Sequence, residues 1–450
     1  MELFILVVFT LGYLAITLEH PLRLDKLIPA LVMMSLAWAG VALGIDHFTQ
    51  WFDSANYSML DGFVSMSHDG KLHVMEETLL HHFGKTCEIL IFLMGAMTIV
   101  EIIDHFDGFS TIKSFIKTNK KKTLLWIICI LAFILSAIID NLTATIVLIT
   151  ILRKLLTDNK DRLWFAGMII IAANAGGAWS PIGDVTTTML WIGNKVTTIN
   201  LIINLLLPSL VCMVIPTLIA SVMPAFKGTF NMPEEKESPI KGGASVLYLG
   251  LIMIVFVPVF KTITHLPPYI GMMLSLGIVS LHAELKSQGR FSLTRIENIP
   301  PRDHGHHSSS PTMKALSKIE MPSILFFLGI LMTVAALESL GMIFTFGQDV
   351  RAMIPDELFV MLMGVGSAVI DNVPLVAASM GMFDLATDST TWHFIAYAAG
   401  TGGSMLVIGS AAGVVAMGME NISFGWYLKN ISWLALLGYL AGSGVFLVFN

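Results

Sequence analysis

Residues 123–152 form one apolar stretch with Asp140-Asn141 near its middle, and no ordinary membrane crossing fits it. A transmembrane helix needs about 20 apolar residues, so the stretch is too long for one comfortable span and too short for two with a loop. Lys113, Lys117, Lys120, Lys121 and Lys122 precede it, and Arg153, Lys154, Lys160 and Arg162 follow it. Basic flanks lie on the cytoplasmic side, so both ends are expected there. The predicted form is a re-entrant helical hairpin whose tip sits at Asp140-Asn141, at mid-membrane. Irregular backbone at that depth is tolerated only where protein or a wet cavity surrounds it.

A second stretch, 357–383, repeats the problem. Its tip phrase SAVIDN (367–372) matches SAIIDN (136–141), so Asp371-Asn372 corresponds to Asp140-Asn141. Its flanks are mainly acidic (Asp349, Asp356, Glu357, Asp384, Asp388), with Arg351 basic, which predicts entry from the opposite face. The match extends further. FLMGAMT (92–98) resembles FLGILMT (327–333), and NAGGAWSPIG (174–183) resembles GTGGSMLVIG (400–409) with three glycines in register. Spans are expected near 3–19, 26–45, 86–104, 163–195, 199–223, 244–260, 268–284, 320–342, 392–420 and 424–449. That makes five per half, an odd number, so the second copy is expected inverted in the membrane. The reading is an all-α polytopic membrane protein: a first repeat 1–224, a cytoplasmic linker 225–243 and a second repeat 244–450. Loop 285–319 is basic and expected inside. Loop 46–84 is acidic and expected outside, which puts both termini outside.

Composition agrees. Hydrophobic residues make up 55% and charged residues 13%, about half the charge of a soluble protein, and mean hydropathy is +0.77. The net charge of −6 is spread over loops and points to no nucleic-acid partner. Cys87, Cys129 and Cys212 lie in or beside apolar segments and read as packing residues. The N-terminus opens on an apolar helix without a basic leader or cleavage site, so a retained span is expected. Trp51, Trp126, Trp164 and Trp426 read as interface anchors. Glu19, Glu101, Asp104, Glu338 and Glu420 read as carboxylates near water at span ends.

Two spans are predicted to be broken. Span 163–195 contains Gly176-Gly177, Pro181 and Gly183, which do not hold a regular helix. Span 392–420 carries Gly402-Gly403 and Gly409. Breaks at the bilayer centre expose carbonyls and helix ends to a ligand. Polar side chains gather there: Asn174, Ser180, Asp184, Thr186 and Thr187 at the first break, Ser404 at the second, Asp140, Asn141 and Thr143 at the first tip, and Asp371 and Asn372 at the second. Carboxylate, amide and hydroxyl oxygens are the ligands of a hard cation. No Cys/His set lies among them, so zinc, copper or another cofactor is not expected. A carboxylate in hydrocarbon is costly and usually functional. Asp184 follows Gly183 whereas Ser410 follows Gly409, so the ion site is expected mainly in the first half, with Asp140, Asn141 and Asp184 as cation ligands and Asp371 in a matching or purely structural role.

Asp-Asn at both tips, with NAGGAWSPIGDVTTTMLW at 174–191, is similar to the NhaD-type sodium/proton antiporters of the ion transporter superfamily, and the similarity covers essentially the whole chain. The resemblance implies exchange of Na⁺ or Li⁺ for H⁺ across a bacterial inner membrane. It further implies an elevator-like movement of hairpins and broken helices against a fixed scaffold that forms a homodimer. No enzymatic activity is expected. Dicarboxylate and arsenite or other oxyanion carriers share the superfamily, but Asp140 beside Asp184 would repel a dianion. Ile182-Gly183-Asp184 with Asp140 superficially suggests a two-aspartate membrane protease, for which duplicated hairpins have no use. His304, His306 and His307 read as a passive polar loop, although His titrates near 6.5 and could sense pH.

Overall fold

The computed structural model describes residues 1–53, 58–113, 116–230, 243–287, 310–369 and 371–449. Most of the expected linker 225–243, and His304, His306 and His307, lie outside the described residues.

The chain is almost entirely helical. Helices α1 (Glu2–Thr17), α2 (Leu27–Leu43) and α3 (His68–His105) open it. Then come α4 (Lys121–Ile139), α5 (Asn141–Leu155), α6 (Asn159–Gly177), α7 (Val185–Ile192) and α8 (Thr198–Val222). Helices α9 (Gly243–Thr264) and α10 (Pro268–Ser287) precede α11 (Met321–Ser339) and α12 (Met342–Met353). The chain ends with α13 (Asp356–Gly366), α14 (Asn372–Met382), α15 (Thr390–Gly402), α16 (Ala411–Glu420), α17 (Phe424–Asn430) and α18 (Ser432–Phe449). Among the described residues, seven helices are long and apolar enough to cross a membrane: α3, α4, α8, α9, α10, α11 and α18. A two-stranded antiparallel ribbon, with Phe52 opposite Met59, is the sheet structure between α2 and α3.

Three details depart from expectation. Residues 68–84, read as loop, are the first turns of α3, because Leu, Met and Glu in that stretch favour helix despite its charge. The last span divides at Ile431 into α17 and α18. Residues 343–353, assigned to no span, belong to the amphipathic helix α12.

Two compact units result, and they do not follow the halves of the chain. One comprises Met1–Leu90, Asn119–Asn231 and Met321–Asn450; the other comprises Ile91–Thr118 and Met232–Glu320. In the smaller unit Gly250 faces Ile103, and Ser275 donates its hydroxyl to the Met253 carbonyl at 2.8 Å. In the larger unit α2 packs closely on α11: Trp38 Nε1 donates to the Met332 carbonyl at 2.7 Å. Helix α18 approaches α8 through Gly438 and Gly442, whose missing side chains leave room for the Cys212 and Pro208 carbonyls. Small residues four apart allow such close approach between membrane helices.

At the centre of this larger unit lie α6 and α15. Every residue from Phe165 to Gly177 is buried, and so is every residue from Trp392 to Gly402. A helix apolar on all faces is stable only when surrounded. Helices α4 and α5 surround α6, and α13 and α14 surround α15. The chain reverses between α4 and α5. Lys121 at the start of α4 pairs with Asp161 at 2.6 Å, while Ser136 near its end reaches the Ala173 carbonyl at 2.6 Å, so α4 runs alongside α6. At the far end of α5, Arg153 meets the same carboxylate, Glu420, as Arg162 at the start of α6. Both open ends of this helix pair therefore lie together. In the second set Phe359, Phe383 and Trp392 form one ring cluster at the open end, and Ser367 reaches the Ala399 carbonyl near the tip at 3.4 Å. The open ends of the two sets lie at opposite ends of the paired helices α6–α7 and α15–α16. Glu420 closes α16 at the first set's open end, and the Lys195 carbonyl beyond α7 accepts from the Asp388 N–H at the second's.

Candidate cation site

Four helices begin near the centre, each capped by its own polar side chain. Asp184 caps α7 by accepting from the Thr186 N–H at 3.1 Å, and Ser410 caps α16 by accepting from the Gly413 N–H at 3.2 Å. Their backbones are nearly identical, with φ −147° and ψ 147° at Asp184 and φ −147° and ψ 153° at Ser410. Asp140 caps α5 and Asp371 caps α14. Such caps satisfy helix N–H groups that have no partner within the helix. Asp140 does so at φ 103° and ψ 157°, a region that side chains other than glycine's rarely occupy. Backbone held there costs about 1–3 kcal/mol and persists where surrounding structure imposes it, often at functional sites.

The breaks exist because glycines let backbones meet. A Cβ on Gly176 would fall 2.2 Å from the Phe133 carbonyl oxygen, and one on Gly402 would fall 2.0 Å from that of Gly364. Gly177 faces Gly183 across the first break as Gly403 faces Gly409 across the second. Each hairpin is thereby pressed against the break of its own broken helix, and each tip reaches the centre.

Asp184 is the hub. Only 3% exposed, it accepts at Oδ2 from Asn141 Nδ2 at 3.2 Å and Asn372 Nδ2 at 3.4 Å. Asn141 also donates to Asn174 Oδ1 at 3.0 Å, and Asn174 Nδ2 donates to Ser410 Oγ at 3.0 Å. Both tips and both breaks thus join in one buried polar chain. Among the described residues the donors to the Asp184 carboxylate are neutral. A buried carboxylate with neutral donors alone bears a desolvation cost that a proton or a monovalent cation removes.

The other expected residues have more local roles. Thr143 donates both its N–H and its hydroxyl to Asp140, at 2.7 and 2.8 Å. Ser180 Oγ accepts from the Ile182 N–H inside the first break, and Thr187 Oγ1 donates to the Asp184 carbonyl. Ser404 donates to the Thr401 carbonyl, and its own carbonyl accepts from Tyr427. Asp371 turns from Asp184 toward Lys26, whose Nζ lies 3.2 Å away. Lys26 went unnoticed in the sequence because a single lysine at the start of an apolar helix reads as an interface residue. Glu420, expected near water, is 2% exposed and holds Arg153 and Arg162 at 2.7 and 2.9 Å. Trp51, expected as an anchor, is buried against Phe63 with its Nε1 on Thr78. Among the described residues no three His, Cys, Asp or Glu side chains form a metal cluster. The groups that reach the Asp184 carboxylate are two side-chain amides and one backbone N–H.

Residues 4–402 match the family described as citrate transporter. The chain is 41% identical over 446 residues to sodium/proton antiporter 1 of Arabidopsis thaliana, covering 98% of this chain and 71% of that protein. It is 38% identical to sodium/proton antiporter 2 of the same plant, over 96% of each chain. Against the Na(+)/H(+) antiporter NhaD of Vibrio cholerae, identity is 29%, over 99% of this chain and 91% of that one. Among solved structures, the YdaH transporter of Alcanivorax borkumensis shares the fold, with a TM-score of 0.57 at 12% identity over 93% of this chain and 97% of that one.

Proposed function

This chain belongs to the citrate transporter family, among its NhaD-type sodium/proton antiporters, and on that premise we propose that it exchanges Na⁺, and Li⁺, for H⁺ across a membrane. The observation that carries the proposal is Asp184: a carboxylate buried at the meeting point of two helix-pair tips and two helix breaks, with neutral donors alone. Such a carboxylate binds a proton or an alkali cation, and each excludes the other. Competition at one position suffices for exchange, provided that only loaded states cross.

In this reading Asp184, Asp140 and Asn141 supply the Na⁺ ligands. Asn372 and Thr186 hold Asp184 in place and Asn174 holds Asn141, while Thr143, Ser180, Thr187 and Ser404 shape the tip and the breaks. The helix pairs α4–α5 and α13–α14 act as re-entrant hairpins of an inverted repeat. They move with the broken helices as an elevator against a scaffold that pairs two protomers. Both termini face outside the inner membrane. The opposite placement of the two open ends supports the inversion. No cofactor takes part; Na⁺, Li⁺ and H⁺ are cargo.

The test is purified protein in liposomes under an imposed pH gradient. Na⁺ or Li⁺ should collapse the gradient and K⁺ should not. Collapse by citrate, succinate or arsenite alone would make this an anion carrier instead.

A further inference from the structure

The two tips differ chemically, and the difference begins in the sequence. Thr143 stands three residues after Asp140, whereas Pro374 stands three residues after Asp371. Thr143 supplies Asp140 with two donors, its N–H at 2.7 Å and its hydroxyl at 2.8 Å. Proline has neither group. Asp371 keeps one backbone donor, the Val373 N–H at 3.3 Å. Its Oδ2 meets Lys26 Nζ at 3.2 Å, and the two side chains are only 25% and 17% exposed. The ammonium also lies over the Phe326 ring, 4.5 Å from its centre, a favourable place for a cation. A cavity of about 50 Å³, lined in part by Tyr13, Thr17 and Glu19, adjoins the pair.

An ammonium at this distance gives Asp371 the single positive charge that a bound Na⁺ would give. It is tethered to the chain, so a soluble ion must compete with an intramolecular partner present at millimolar or higher effective concentration. Among the described residues Asp184 has no such partner; its donors there are neutral. We propose that Lys26 is a resident counter-cation for the second tip, leaving one exchangeable Na⁺ position per protomer, at Asp184. The inference rests on the antiport reading above and specifies its stoichiometry: Lys26 prevents the duplicated tip from becoming a second ion site.

Equilibrium binding of radioactive Na⁺ to the purified full-length protein at alkaline pH tests this. The unaltered protein should bind one Na⁺ per chain, and so should Asp371→Asn. Lys26→Gln, which uncovers Asp371, should bind two, Lys26→Arg one, and the double variant Lys26→Gln/Asp371→Asn one again. Loss of the bound Na⁺ in Asp371→Asn overturns the proposal, and so does a folded Lys26→Gln protein that still binds one. The Asp371→Asn measurement decides even where Lys26→Gln does not fold. An unaltered protein that binds no Na⁺ overturns the antiport reading itself, so the two failures are distinguishable.

Discussion

The Asn372 amide donates to Asp184 Oδ2 at 3.4 Å, across 188 residues of chain. One residue belongs to the second tip and the other to the first break, so the candidate site is a joint product of both halves. Losing a hydrogen bond to a buried charged group costs about 1–3 kcal/mol. Asn372→Ala is therefore expected to raise the Na⁺ concentration for half-maximal exchange by about 5- to 150-fold, with Asn141→Ala at least as severe. The Na⁺ dependence of proton release from proteoliposomes measures both. An Asn372→Ala protein with an unchanged Na⁺ requirement would confine the site to the first half.

Asp184→Asn removes the hub charge but keeps its shape. Truncating one partner of a buried charged contact costs about 2–5 kcal/mol, so exchange should fall at least about 30-fold. The thermal transition of the purified protein should stay near that of the unaltered chain, because Thr186 can still be capped by the amide oxygen. Near-normal exchange in this variant would remove Asp184 from the transport cycle.

Gly402→Ala is expected to separate the second tip from its broken helix, since the new Cβ would fall 2.0 Å from the Gly364 carbonyl oxygen. Overpacking of this kind costs about 1–3 kcal/mol, and rigid backbone on both sides puts this case at the upper end. Gly277→Ala in α10, with nothing within 4 Å, should be neutral or slightly stabilising. Thermal unfolding in detergent compares the two. Equal midpoints for both variants would mean that the contact is not maintained.

Competition between H⁺ and Na⁺ predicts that apparent Na⁺ affinity rises with pH. Below the site's own titration point, each pH unit should weaken Na⁺ binding about tenfold per proton displaced, or about 1.4 kcal/mol. Replacing His304, His306 and His307 with Ala should leave that slope and its position unchanged. A displacement of the profile by about one pH unit in this triple variant would assign pH sensing to the loop, within the titration range of histidine.

A separate pH effect is expected at Asp388, in the loop before α15. Burial pushes its carboxyl up, but donors from Thr197 and Asn200, with His393 nearby, more than offset this and hold it below the ordinary range. The Thr197 N–H and hydroxyl donate at 2.6 and 2.8 Å, and Asn200 donates at 2.8 Å. Because the folded value lies below the unfolded one, near 3.9, the stabilisation is complete above the unfolded value. It is lost as pH falls through the folded one. The tie is partly exposed and contributes no more than about 1 kcal/mol. The difference in melting temperature between the unaltered protein and Asp388→Asn should shrink as the medium is acidified. A constant difference would mean that the carboxylate charge is immaterial there.

The helical class, the two interrupted helices and the two Asp-Asn turns were legible in the sequence because each depends on local pattern. Apolar run length marks helices in lipid, and Gly176-Gly177 and Gly402-Gly403 break them where they stand. The sequence also placed Asp184 at a break and Asn141 and Asn372 at tips. Which of these meet was decided by tertiary structure alone. Asn372 reaches Asp184, while its neighbour Asp371 turns to Lys26, 345 residues away. Glu420 and Trp51 looked like interface residues, yet one is enclosed by two arginines and the other is buried against Phe63 with its Nε1 on Thr78. Local composition constrains what a residue can bond to. The partner is set by packing, where a Cβ's absence at Gly176 or Gly402 brings distant backbone within hydrogen-bonding reach.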